Sequence, residues 1–343
     1  MRLLLSLLSL LTTTCLAAQA PAPLRVCATT TDLGDIASAV GGDAVAVTTL
    51  VSGAQDPHFV EARPSLILQL SRADALVEVG LELEIGWLPL LVDNARNEKV
   101  LPGAPGRIDA STVIERLGVP VAGTDRSAGD IHGGGNPHYL ADPRAGLRVA
   151  ALLRDRFAAL RPAAQATFAA NFATFRHRLC VLLVGAELAA LYGDDAEQMA
   201  TLFARGKLLP LLEAQGDREK LRGWCASMLP HRGAKVVADH DLWPYFAAAF
   251  GIEVVGFLEP KPGIAPTSAH LEALIVLMRR DHVPAILSVG YFAPQHAEFV
   301  HRATDARIAA MSHQVGSRDG CGDYLANVDH NVRAVVAALQ ATR

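Results

Sequence analysis

Twelve histidines occur in the chain, and four of them stand where the neighbouring residues ask for more than packing. Asp56-Pro57-His58 and Asn136-Pro137-His138 each place a proline directly before the imidazole, Asp239-His240 closes an apolar run, and His313 follows the apolar Ile308 to Met311. Proline fixes its own φ, so a Pro-His turn holds the ring on a stiff loop and little freedom is lost on coordination. Neutral imidazole is the commonest nitrogen ligand, and three or four around one ion suit zinc. Taken singly, a histidine is more often a hydrogen-bonded structural residue, and His177, His270, His282, His296 and His301, inside helical stretches, are read that way. Three histidines with an open position can also activate a zinc-bound water. The nearby acids Asp241 and Glu259 belong to no H-E-x-x-H helix, so binding is favoured over hydrolysis.

The elements that must position these residues have an α/β rhythm. Arg25 to Thr29, Val45 to Val51 and Ala75 to Val79 read as strands, with Leu33 to Val40 and Pro64 to Leu70 as helices. A long helical segment runs from Pro143 to about Leu183, and Pro162 should kink or break it. The rhythm then returns: Lys235 to Ala238, Glu253 to Phe257 and Ala285 to Val289 as strands, with helices over Leu242 to Phe250, Ala269 to Asp281 and Tyr324 to Leu339. The expected fold is α/β, two lobes with helix-covered parallel sheets joined by one long connecting helix. The expected division is a signal peptide over 1–20, an N-terminal lobe over 21–142, a connector over 143–184 and a C-terminal lobe over 185–343, with a helical insertion at about 185–230. Ligands of open α/β sheets gather beyond the carboxyl ends of strands, here a cleft between lobes.

The 343 residues carry 31 Lys and Arg against 35 Asp and Glu, a net charge of -4, which leaves no broad basic surface for nucleic acid. The start reads as a secretory signal: Met1-Arg2, the apolar Leu3 to Leu11, and Ala18-Gln19-Ala20 as a cleavage site. Cys15 behind Thr12, Thr13 and Thr14 makes a poor lipidation site, so a soluble periplasmic protein is expected. In an oxidising compartment the other cysteines, Cys27, Cys180, Cys225 and Cys321, should form one or two disulfides in any of three connectivities.

Five segments, in order, resemble the metal-binding solute-binding proteins of ABC importers for zinc and manganese, the cluster A-I or cluster 9 family. They are Asp56-Pro57-His58 with Pro64-Ser65, Ala73-Asp74, Gly80 and Glu84; Asn136-Pro137-His138-Tyr139-Leu140-Ala141-Asp142-Pro143; Asp239-His240-Asp241-Leu242-Trp243-Pro244-Tyr245-Phe246; Pro262-Gly263 with Ala265-Pro266; and Gly322-Asp323-Tyr324 with Asn331. The resemblance covers nearly the whole mature chain. It implies one ion held between the lobes, with His58 and His138 from the first lobe and His240 from the second. The family's fourth ligand is usually an Asp before the Gly-Asp-x ending. A gapless count back from Asp323 falls on His313 instead, with Asp319 or a water as the alternatives. Where many members carry a Glu, this chain has Ser288-Val289-Gly290.

Manganese prefers carboxylate oxygens, so an imidazole-rich site points to Zn²⁺ as the transported ligand, although by intrinsic affinity it would also take copper or nickel. The loop Asp125 to Asn136 holds a single histidine, His132, among four glycines, enough for a transient contact. The implied partner is an inner-membrane ABC permease, with the protein itself a monomer. A periplasmic zinc chaperone or adhesion-related protein without a permease is the alternative. Ligation needs neutral imidazoles, so protons should compete with the ion as pH falls through about 6 to 5. The stiff connector predicts little hinge motion, with release through the loops Asp125 to Asn136 and Ser312 to Gly322.

Overall fold

The computed structural model describes residues 22–120, 132–260 and 264–340. The expected signal peptide, the first part of the Asp125 to Asn136 loop and Pro262-Gly263 lie outside the described residues. Two four-stranded sheets, every pairing parallel, form the two lobes. The first contains β1 (Leu24–Ala28), β2 (Val45–Thr49), β3 (Ala75–Glu78) and β4 (Arg107–Asp109) in the order β2-β1-β3-β4. The second contains β5 (Lys235–Ala238), β6 (Glu253–Phe257), β7 (Ala285–Val289) and β8 (Arg307–Met311) in the order β6-β5-β7-β8. The two orders are the same pattern repeated.

Helices cover both faces of each sheet, which is why the central strands are nearly continuous apolar runs. In the first lobe α1 (Thr31–Gly41) faces the inter-lobe side, whereas α2 (Pro64–Arg72) and α3 (Leu88–Ala95) cover the outer side. Side chains alternate accordingly: Val26 and Ala28 enter the central core, and Cys27 between them enters the outer one. In the second lobe Val236 and Ala238 join the central core while Val237 packs outward under α11 (Ser268–Arg280) and α12 (Pro294–Thr304). The central core is continuous through both lobes and includes α13 (Tyr324–Gln340).

The connector is helical, and its break falls at Pro162. Asp142 caps α4 (Pro143–Leu160), its carboxylate accepting the Arg144 amide at 2.8 Å, and Pro143 takes the first helical position. A single turn over Pro162–Ala164 separates it from α5 (Gln165–Val184), and both helices pack against each other and against α1. Four short helices follow in the 185–230 region: α6 (Ala186–Tyr192), α7 (Ala196–Ala204), α8 (Leu208–Gln215) and α9 (Gly223–Met228). They bury Met199, Phe203, Leu208 and Leu212 in the central core, and α7 packs against α10 (Pro244–Phe250).

The lobes are stitched together beside the cleft. Thr31 Oγ1 donates to the Val315 carbonyl at 2.8 Å, the Val315 amide donates to Asp32 Oδ1 at 2.8 Å, and the Tyr324 amide donates to Asp35 Oδ2 at 2.8 Å. Gly53 approaches so closely that a Cβ there would lie 2.0 Å from the Val315 carbonyl oxygen. Among the described residues no helix is long and apolar enough to cross a membrane.

Among the described residues the expected disulfides are not formed, and Cys27, Cys180, Cys225 and Cys321 are all buried as thiols. Cys27 lies in the outer core under α2, Cys180 on α5 and Cys225 on α9 lie in the central core, and Cys321 lies in the loop before α13. Burial instead pushes the Cys27 thiol up to about 11 and the Cys225 thiol up to about 12, so both stay protonated and inert.

Candidate metal centre

The loop after β2 carries His58. Asp56 Oδ1 accepts the His58 backbone amide at 3.0 Å and lies 2.7 Å from the ring Nδ1, so one carboxylate oxygen fixes both the turn and the ring. A neutral His58 oriented this way carries its proton on Nδ1 and presents Nε2 as the ligating nitrogen. Trp87 Nε1 anchors the same loop by donating to the Pro57 carbonyl at 2.9 Å. His138 repeats the device with a neutral partner, its amide donating to Asn136 Oδ1 at 2.9 Å.

These turns bring three imidazoles together from both lobes. The His58 and His138 ring centroids are 5.2 Å apart and those of His138 and His313 4.9 Å apart. His313 Nε2 lies 3.1 Å from His138 Nδ1, and His313 Nδ1 is buried with no hydrogen-bond partner among the described residues. A buried ring nitrogen without a partner is costly unless something binds it. The Tyr291 and Trp243 rings stand edge-on to His313, 5.7 and 6.3 Å away.

His240 approaches from the end of β5. Its Nδ1 is 3.1 Å from the Glu259 carbonyl oxygen, and its ring packs beside Phe257 and Phe292 at 6.2 and 6.3 Å. With Nδ1 donating to that carbonyl, Nε2 is the nitrogen left to coordinate. His240 and His58 share the lining of a cavity of about 390 Å³ with Asp56, Glu259, Tyr291 and His296. Among the described residues no group of three or more His, Cys, Asp and Glu stands in position to hold an ion.

Burial prepares the cluster electrostatically. It pushes His138 well below the usual histidine range, helped by His313, His58, His132 and His240 around it, and lowers His313 to about 4 despite the opposing pull of Asp56. Both are therefore neutral near pH 7, the state a metal requires. Burial alone would raise Asp56, but the His58 hydrogen bonds and the nearby His313 outweigh it and hold the carboxyl below its ordinary value. Beneath His240, burial raises Asp239 to about 7, although its Oδ2 accepts the Val289 amide at 2.7 Å. That bond falls at the Ser288-Val289-Gly290 departure, so the local carboxylate braces a strand end.

The sequence reading missed part of this arrangement. His132 sits closer than a transient contact implies, with its ring 5.4 Å from His58 and 6.5 Å from His138. The orienting roles of Asp56 and Asn136 were readable from an Asx residue two positions before each histidine, the signature of an Asx turn. Asp319, the alternative fourth ligand, is exposed.

The family model described as zinc-uptake complex component A, periplasmic, matches residues 26–184 and 217–338, both sheets and all four histidines, and skips the segment of α6 to α8. The manganese-binding lipoprotein MntA of Halalkalibacterium halodurans is 22% identical over 322 residues, 92% of this chain and 88% of that protein. The metal ABC transporter substrate-binding lipoprotein ScbA of Streptococcus cristatus is 22% identical over 322 residues, 92% of this chain and 89% of that protein. A crystal structure of ZnuA superposes with a TM-score of 0.66 at 18% identity, covering 92% of this chain and 99% of that one. The Mn-bound periplasmic metal-binding protein from Candidatus Liberibacter asiaticus gives 0.65 at 18% identity, with the same coverage. At these identities the solved structures establish the two-lobe fold, and the family model adds the rest: the chain belongs to the zinc-uptake complex component A family.

Proposed function

We propose that this protein captures Zn²⁺ outside the cytoplasmic membrane and delivers it to an ABC permease, with His58, His138, His240 and His313 as ligands. The coarser part stands on family membership: it is a metal-binding substrate-binding protein of an ABC importer, not an enzyme, and it works with a membrane permease outside the cytoplasm. Periplasmic residence after cleavage of the 1–20 segment and a monomeric state belong to the proposal.

One observation carries the choice of ion, the convergence of His58, His138 and His313 with ring centroids 5.2 and 4.9 Å apart. The names of the relatives point several ways, to manganese for MntA and to iron for MtsA of Streptococcus pyogenes, 35% identical over 79 residues. Donor chemistry supports zinc among these ions. The carboxylate next to the cluster, Asp56, already has Oδ1 engaged by His58, so the site offers nitrogen, and nitrogen ligands rank zinc far above manganese and iron(II).

Competition calorimetry on the purified chain tests this. Zinc should bind at one site per chain and resist displacement by a large excess of manganese. Displacement of zinc by equimolar manganese would overturn the assignment of the ion.

A further inference from the structure

The Asn136 amide does what a carboxylate cannot, accepting through its oxygen and donating through its nitrogen. Its Oδ1 accepts the His138 amide at 2.9 Å while its Nδ2 donates across the cleft to the Asp241 carbonyl at 2.7 Å and to Asp241 Oδ2 at 3.3 Å. Asn136 is 7% exposed, and its own amide donates to the Leu117 carbonyl at 2.8 Å, so the side chain works from a fixed base. Asp241 directly follows His240, in a turn closed by the Leu242 amide donating to the His240 carbonyl at 2.8 Å. One side chain therefore grips the turn of His138 in the first lobe and the turn of His240 in the second.

We propose that Asn136 is a positioning residue that sets the spacing between the His138 and His240 imidazoles, and that its amide donor thereby slows metal release. This rests on the reading of His138 and His240 as ligands. The reasoning is geometric. Thr31, Asp32 and Asp35 join α1 to the segment after β8, and Gln314 Nε2 ties the His313 loop to the Gln55 carbonyl at 3.0 Å, whereas the Asn136 side chain joins the turns of His138 and His240. A ring held to within a fraction of an ångström of its coordinating position binds without reorganisation, and loosening such a support typically costs about 10- to 100-fold in metal affinity.

Asn136→Asp isolates the donor. The carboxylate still accepts the His138 amide, so the Pro-His turn survives, but its second oxygen now faces the Asp241 carbonyl and carboxylate and repels them. Asp241→Asn is the control, because the backbone carbonyl that takes the 2.7 Å bond remains. Zinc affinity and dissociation rate would be measured for the wild type, Asn136→Asp, His240→Ala and the double variant. The expected results are an affinity loss of about 10- to 100-fold in Asn136→Asp, mostly as faster dissociation, a near-normal Asp241→Asn, and a double variant that loses less than the product of the single losses. Losses that simply multiply would show that Asn136 does not act through His240 and would overturn the proposal.

Hydrogen exchange on the metal-free proteins gives a readout independent of any ion. The Leu242 and Trp243 amides should exchange faster in Asn136→Asp than in the wild type, and unchanged exchange would also overturn the proposal. If His240→Ala alone leaves zinc affinity unaltered, the ligand reading has failed, and the exchange result still decides whether Asn136 holds the two turns together. Should Asn136→Asp fail to fold, Asn136→Ser keeps an oxygen for the His138 amide, lacks the amide donor, and is held to the same outcomes.

Discussion

His313 Nε2 lies 3.1 Å from His138 Nδ1, a contact between the loops that follow the last strands of the two sheets. The repeated strand order explains the meeting, since the loop after β4 and the loop after β8 leave equivalent positions and face each other across the cleft. A hydrogen bond between two imidazoles needs one ring to offer a bare nitrogen, so at least one of the pair is neutral. Zinc would take the place of the shared proton. X-ray absorption on zinc-loaded protein should then show one imidazole fewer in His313→Ala than in the wild type. The same first shell in both would make His313 a bystander.

The pH response of binding follows from burial. The sequence alone suggests that proton competition sets in as pH falls through about 6 to 5. With His313 lowered to about 4, its contribution should persist well below that range. The affinity advantage of wild type over His313→Ala should stay constant from about pH 7.5 to 5.5 and shrink as pH approaches about 4. An advantage that already shrinks between about pH 7 and 6 would contradict the placement of this ring.

Fold stability should show the opposite sign at a buried carboxylate. Burial raises Asp32 from 3.8 to about 7, with Asp35 adding repulsion and the Val315 amide opposing. A raised carboxyl stabilises the fold below its unfolded value and loses that contribution as pH climbs from about 4 to 7. Asp32→Asn keeps an oxygen for the Val315 amide and removes the titration. In urea unfolding of the metal-free protein, the variant should gain on the wild type between about pH 4 and pH 7, by on the order of a few kcal/mol. A constant difference across that window would show that Asp32 is not buried as a neutral acid.

Much of the scaffold is legible because buried parallel strands are written as β-branched runs. Lys235 to Ala238, Glu253 to Phe257 and Ala285 to Val289 fold as strands with the boundaries their composition suggests. The strand Arg107–Asp109 is not, because three residues behind the Gly- and Pro-rich stretch 102–106 carry no periodicity. In the site, the stiffness of the two Pro-His turns can be read from the chain, whereas the Asn136 bond to Asp241 joins residues 105 apart and exists only once the lobes meet. The cysteines mislead for the same reason: an even number and an exported context suggest pairing, and only packing shows Cys27 on the far face of its sheet from Cys180 and Cys225.

The central claim is that imidazoles from both lobes hold one zinc ion, and His138, touching His58 on one side and His313 on the other, is its most exposed point to test. Isothermal titration of zinc into wild type and His138→Ala at pH 7.5 is the direct measurement, with circular dichroism to show that the variant folds. The account predicts a single tight site in the wild type and a loss in the variant well beyond the roughly 10- to 100-fold that an outer-shell partner costs. Equal affinity in the two proteins would contradict it.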